Sequence, residues 1–260
     1  KQEAVKEVSG KTAWAQQFRS HAMAHPLTFA TENRLGQWIS DPGVLFKATW
    51  WKGVIPAYSI ISCAILAAFL LDYLSSPAFV MCLVVLLGVS YGISSKIQPS
   101  WALLSRIEPE MDALYELVRS LEQESFQSVF MNGVKANTRL SSGRPASASI
   151  HRFRRILKRF DFRLNLVVFF ILNTFFLWDL RQLLALNEWK KTNSQYLARW
   201  FSAVAETEVV ISLASLLKNK PGWHFPEIND RYFNLDIRDM GHPLIPADRC
   251  VTNSFSMEGR

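Results

Sequence analysis

The stretch LNLVVFFILNTFFLWDLRQLLALNEWK, Leu164 to Lys190, decides how the rest of the chain is read. Its first part has the composition of a membrane span. Only fifteen residues, Leu164 to Trp178, separate Arg163 from Asp179, however, and they include Asn165 and Asn173. A helix needs ~20 consecutive apolar residues to cross a bilayer core. The length therefore predicts a helix buried inside a protein core. That helix is expected to run past Asp179 with Leu180, Leu183, Leu184 and Leu186 on its apolar side, closing at Trp189 and Lys190.

Upstream lies a strongly basic helix, Ile150 to Arg163, capped by Ser149. Ile150, Phe153, Leu157 and Phe160 make its apolar stripe. Arg152, Arg154, Arg155, Lys158 and Arg159 make its charged face, which is either a solvated surface or a contact for nucleic-acid phosphates or anionic lipid headgroups. Before it, Asn137 to Ser149 is a Ser-rich loop with one Gly and one Pro. Before that, Glu108, Pro109 and Glu110 have the chemistry of a helix start. Met111, Leu114, Leu117, Val118 and Leu121 continue at helical spacing. Through Phe126, Val129 and Phe130 they predict one long amphipathic helix to about Asn132-Gly133.

Further upstream the character changes. Lys1 to Arg34 reads as helical, with Trp14 and Phe18 on the apolar face and a stop at Pro26. Leu35 to Lys52 is punctuated by a turn at Asp41-Pro42-Gly43 and carries Trp38, Trp50 and Trp51, rings suited to the headgroup level of a bilayer. Val54 to Leu74 holds a single charge, Asp72, near its end. A break at Ser75-Ser76-Pro77 leads to a second apolar run, Ala78 to Ile93. The pair predicts a transmembrane hairpin; the other reading is a helical hairpin buried in a soluble core. Its connecting turn has no Lys or Arg, whereas Lys47, Lys52, Lys96 and Arg106 flank the outer ends. The excess of cations on the cytoplasmic side of membranes then places both termini in the cytoplasm.

Downstream, Trp200 to Leu217 is a helix ended by Pro221-Gly222. Trp223 to Arg260 has no helical period, and Phe225-Pro226, Tyr232-Phe233-Asn234-Leu235 and Cys250-Val251-Thr252-Asn253 read as short extended pieces, expected to form small strands. The fold class is therefore mainly α: a long-helix core, an N-terminal hydrophobic hairpin and a short strand-bearing C-terminal piece. The boundaries fall at 1–99, 100–220 and 221–260.

Catalytic chemistry is sparse. His21 and His25 share a helix face, but Ala22 stands where a zincin needs Glu. Cys63, Cys82 and Cys250 have no metal-ligand spacing and form no disulfide framework. The carboxylate pairs Glu108/Glu110 and Glu206/Glu208 suit a helix start and a local ion pair. No GxxxxGK[ST] loop is present. The net charge of +7 over 260 residues fits an anionic partner without naming one.

Several short pieces follow one another in a telling order. Ala146-Ser147-Ala148-Ser149-Ile150 opens the basic helix, and Arg163-Leu164-Asn165 leads into the apolar one. Leu177-Trp178-Asp179-Leu180, Glu188-Trp189-Lys190, Glu206-Thr207-Glu208 and Ser212-Leu213-Ala214 come next, and then Gly241-His242-Pro243-Leu244. From about Ser100 onward this order resembles the core of the MutS family of DNA-repair ATPases. In that family an HP dipeptide opens the strands that join the helical core to the ATPase domain, and an extended piece ending in Asn follows. The resemblance thus implies that His242, Pro243 and Asn253 mark the ATPase joint, with the phosphate-binding loop expected soon after Arg260. The start at Lys1 rather than Met fits a piece of a longer protein. Cys250 stands where many members carry an aromatic near the adenine, so stacking on the base is not expected. The Phe-x-Glu wedge of mismatch readers is not visible in Lys1–Pro99, where the hydrophobic pair stands instead, as in a divergent branch with N-terminal hydrophobic segments.

The resemblance implies a non-catalytic core that relays ATP-driven conformational change to a DNA-binding end, without mismatch recognition of its own. It implies ATP and Mg for the ATPase domain of the same chain, DNA as partner, a dimer of the full-length protein, and phosphate contacts from Arg152, Arg154, Arg155, Lys158 and Arg159. With the hairpin, it implies a cytoplasmic protein anchored in the inner membrane. The competing expectation is a membrane-anchored helical scaffold that binds a protein partner and has no DNA role.

Overall fold

The computed structural model describes residues 1–40, 50–104, 107–228, 233–246 and 248–259. The Asp41-Pro42-Gly43 turn, Lys47, Arg106 and Tyr232 lie outside the described residues. The chain is mainly α-helical, as its periodicity predicts, with one small antiparallel sheet near the C-terminus.

Three short helices open the chain: α1 (Gln2–Gly10), α2 (Thr12–Ala24) and α3 (Phe29–Ser40). α2 ends at Ala24, just before the stop expected at Pro26, while the chain is divided further between Gly10 and Thr12, and α3 carries helix beyond the expected boundary at Leu35. Two long helices follow, α4 (Trp51–Leu70) and α5 (Ser76–Leu104). Then come α6 (Glu108–Gln123), α7 (Val129–Ala136), α8 (Ala146–Phe160), α9 (Leu166–Phe176), α10 (Trp178–Asn193) and α11 (Leu197–Asn219). The strands β1 (Asn234–Met240) and β2 (Asn253–Glu258) pair antiparallel, Asn234 opposite Glu258, with an irregularity between Ile237 and Met240.

The core is built where amphipathic faces meet. α6 turns Met111, Leu114, Leu117, Val118 and Leu121 inward, and α8 answers with Ile150, Phe153, Leu157 and Phe160. α1 lies along α11, and α8 also packs on α10. Trp189 sits at the centre, fully buried, its ring centroid 4.4 Å from that of Phe153. Its indole N–H donates to the Ser149 carbonyl at 2.7 Å, so a large apolar ring is buried without an orphaned donor. Burying such rings is worth about 1.5–3 kcal/mol each or more, and this is what holds the helices together.

The long helix expected up to Gly133 is broken between Gln123 and Val129. The cause is a cap from a distant element. The Glu7 carboxylate of α1 accepts from the backbone N–H groups of Gln127 (2.6 Å) and Ser128 (2.9 Å), satisfying donors that a new helix start leaves free. α8 likewise starts at Ala146 instead of behind a Ser149 cap. Glu122 accepts from the Ser147 N–H at 3.2 Å, and Gly143 turns the preceding loop at φ 77°, a left-handed conformation open to glycine.

The largest correction concerns Leu164–Lys190. It is not one core helix. Asn165 caps α9, accepting from Val168 N at 3.2 Å, and Leu177 ends it in the left-handed region (φ 47°, ψ 51°). α10 starts in a new direction. The outer face of α9 is open: Leu166 is 79% and Val167 68% exposed. Only its inner end, Asn173 and Thr174, is buried. The second apolar run is also longer than predicted, since α5 continues through Pro99 to Leu104.

Candidate functional site

The structure brings three apolar elements together. α4 and α5 lie side by side, closed at their tip by Phe69 stacked on Phe79 at 4.1 Å. α9 packs against both. Ser62 Oγ donates to the Phe175 carbonyl at 2.7 Å, and Tyr58 Oη lies 2.8 Å from that of Thr174. Arg181 closes the set, donating to Ser59 Oγ at 2.9 Å. The bonds from Ser62 and Tyr58 satisfy backbone carbonyls in the last turn of α9. Beyond this level the helices stand clear of the body. Ile60, Ile61, Val80, Met81, Val84 and Val85 are each more than half exposed. So much contiguous apolar surface marks a site of membrane or protein contact.

Among the described residues three helical stretches are long and apolar enough to cross a membrane: Trp51–Leu70, Ser76–Leu104 and Trp178–Asn219. The third is interrupted by a 3₁₀ turn at Ser194–Tyr196 and buries Trp200, Val204, Ile211 and Ala214 in the core. At ~1.5 Å per residue, α4 reaches about 30 Å, the thickness of a bilayer core, and α5 exceeds it.

At the body end of the hairpin a charged cluster is sealed between α5 and α10. Asp179 has no exposed surface. Ser94 Oγ donates to its Oδ2 at 2.5 Å, and Arg163 Nε lies 3.5 Å from the same oxygen. Arg163 also donates to Ser94 Oγ at 3.2 Å, and its guanidinium lies over the rings of Trp101 (5.1 Å) and Phe169 (5.5 Å). Asn173 Oδ1 accepts from the Asp179 N–H at 3.3 Å. Next to the cluster is a cavity of about 490 Å³ between α5 and α9, with Arg163 in its wall. This cluster was not legible as a site in the sequence; the one signal was Asp179 following an apolar run.

The basic helix divides into two sets of side chains. Arg154 turns inward, paired with Asp112 and lying 4.6 Å from the Tyr115 ring centroid. Lys158 reaches Asp112 (3.5 Å) and Glu108 (3.8 Å). Burial pushes the Glu108 carboxyl above its ordinary range. The neighbouring Asp161 and Asp112 push the same way, and Lys158 opposes them. Arg152, Arg155 and Arg159 point outward, and no carboxylate pairs with them among the described residues. Arg155 Nη2 lies 3.0 Å from His151 Nε2. A shallow cavity of about 190 Å³ opens here, lined by His151, Arg154, Arg155, Lys158, Arg159 and Phe162.

At the C-terminus Met240 and Asn253 are register partners, which brings His242, Pro243 and Asn253 to one end of the sheet. The HP dipeptide follows β1 instead of opening it, and Asn253 begins β2. A Cβ on Gly241 would lie 2.8 Å from Cys250 Sγ, so a larger residue here would have to displace the Cys250 side chain. Leu235, Met240, Phe255 and Met257 of the sheet are all more than 40% exposed. His21 and His25 join no group of metal-ligating side chains among the described residues. No protein-family model matches this chain, and no curated protein or solved structure matches it either.

Proposed function

We propose that this chain is the helical core of a MutS-like ATPase assembly, held at a membrane by the α4–α5 pair. In this reading it carries no catalysis of its own. It passes the motion of an ATPase domain, attached at the β1–β2 sheet, to a DNA-binding end of this same chain. The ordered series of pieces from Ala146 to Asn253 is the observation that carries the reading. Two physical features support it. α10 and α11 are packed along their length, and close-packed helices transmit displacement with little compression. The two-stranded sheet is bare on both faces, whereas such a hairpin alone is marginally stable in water and gains from a covering domain.

ATP and Mg²⁺ belong to that domain. The chain has no GxxxxGK[ST] loop, and no residue here is assigned to them. The dimer is likewise a property of the ATPase domains. The membrane role rests on the exposed apolar faces of α4 and α5, with both termini in the cytoplasm. The relay does not require α8 to be the DNA contact.

Duplex DNA titrated at rising salt tests the reading. Binding that weakens steeply with salt is expected, because phosphate contacts release counterions. Absence of binding at low salt would overturn it in favour of a membrane-anchored scaffold for a protein partner.

A further inference from the structure

The outward basic face of α8 continues directly into apolar surface. α8 ends at Phe160, and one 3₁₀ turn, Asp161–Leu164, leads into α9. Within that short distance the exposed cations Arg155 and Arg159 give way to exposed Phe162, Leu164 and Leu166. Phe162 stacks on Trp178 at 5.9 Å, and the Trp178 N–H donates to the Arg159 carbonyl at 2.8 Å, so the boundary is built of aromatic rings. Rings with one polar edge and cations just outside an apolar face have the order of a bilayer surface.

The level is fixed by α5. Trp101 donates to Asp161 at 3.2 Å and Arg163 donates to Ser94, so the α8–α9 junction lies beside residues 94–101, where the apolar run of α5 ends. Exposed Lys96 belongs to the same stretch. A DNA-binding face would instead be polar beyond its cations, as the grooves and backbone it meets are polar.

We infer that the basic pocket of Arg155, Lys158, Arg159 and Phe162 holds the phosphate of an anionic phospholipid at the cytoplasmic surface of the membrane, with α9 lying among the acyl chains. Arg155 and Arg159 supply charge-assisted donors, and Phe162 faces the glycerol and upper chain. The inference rests on the membrane part of the reading above and leaves the ATPase relay open.

The test uses the full chain purified from membranes in mild detergent and examined by native mass spectrometry with added phosphatidylglycerol or phosphatidylcholine. The wild type is expected to retain phosphatidylglycerol preferentially. The R155A/R159A variant is expected to lose that preference by roughly fivefold per charge, the effect of about 1 kcal/mol for each basic residue at an anionic surface. These side chains are exposed, and an unchanged circular dichroism spectrum will show that the variant folds. Equal retention of both lipids by the wild type, or an unchanged preference in the variant, would overturn the inference. So would duplex DNA that binds the same two arginines while the lipid preference is absent. Alkaline carbonate extraction separates the two levels. A chain released from membranes would overturn the membrane reading and this inference with it, whereas an embedded chain without lipid preference would overturn this inference alone.

Discussion

Asp179 and Arg163 illustrate what single residues contribute. Asp179 is wholly buried, and Arg163 is held against it by Ser94 and two aromatic rings. Removing one partner of a buried pair leaves the other charge uncompensated, at a cost of about 3–5 kcal/mol. Asp179→Ala is therefore expected to lower the denaturation midpoint in urea strongly. Asp179→Asn, which keeps an acceptor for Ser94, should lower it less. Equal midpoints for wild type and Asp179→Ala would contradict the pairing.

Glu108 gives a pH signature. Its folded-state pKa is raised by burial and by Asp161 and Asp112, so the folded chain holds this proton more tightly than the unfolded one. That contribution is present below the unfolded pKa and is lost as pH rises through the folded pKa. Glu7 behaves oppositely. Burial raises its pKa, but hydrogen bonds from Ser128 and Gln127, with Lys11 nearby, outweigh that and lower it, so its contribution is lost on acidification. Glu108→Gln should flatten the fall in thermal midpoint that accompanies a rise of pH through and just above the ordinary carboxylate range. A pH profile identical to wild type would refute the assignment. At this scale the basic residues of α8 were legible from composition. Their division was not, because Asp112 lies far from Arg154 in sequence and only packing joins them.

At the scale of elements, periodicity located the helices well but not their breaks. The positions of Met111, Leu114 and Leu117 predict α6 directly. The break after Gln123 depends on Glu7, more than a hundred residues away, and no local pattern signals it. α9 departs from expectation for a related reason. Its length excludes a full span and by itself predicts burial. Leu177 in a left-handed turn creates a third arrangement, a short apolar helix leaning on a hairpin with one face open. The hairpin itself was legible from length and lack of charge. Ile61 and Val84 both face outward on it. The pair Ile61→Arg and Val84→Arg should disfavour insertion by about 5–7 kcal/mol, from ~3 kcal/mol for each arginine near a helix centre. The wild type is expected to resist alkaline carbonate extraction and the double variant to be released. Release of both would contradict a membrane role for the pair.

At the scale of the whole molecule, a packed helical body separates two uncovered surfaces, the apolar hairpin with its basic collar and the bare β1–β2 sheet. The mainly helical class followed from sequence because helical period is local, but the strands lie C-terminal of the expected pieces, meeting them only at Asn234, Leu235 and Asn253, because their register is set by pairing with each other. The collar did not follow from sequence, because it depends on how α5, α8 and α9 meet. A body with uncovered surfaces at separate places is the arrangement a relay needs. Its most direct test is the spacing between those places during nucleotide turnover. Spin labels at Ser95 and Ser256, with Cys63, Cys82 and Cys250 replaced by serine, report that spacing when the chain is joined after Glu258 to a MutS-type ATPase domain. A relay predicts that the distance distribution shifts between the nucleotide-free and ATP-bound states. Identical distributions in a fusion that hydrolyses ATP would contradict it.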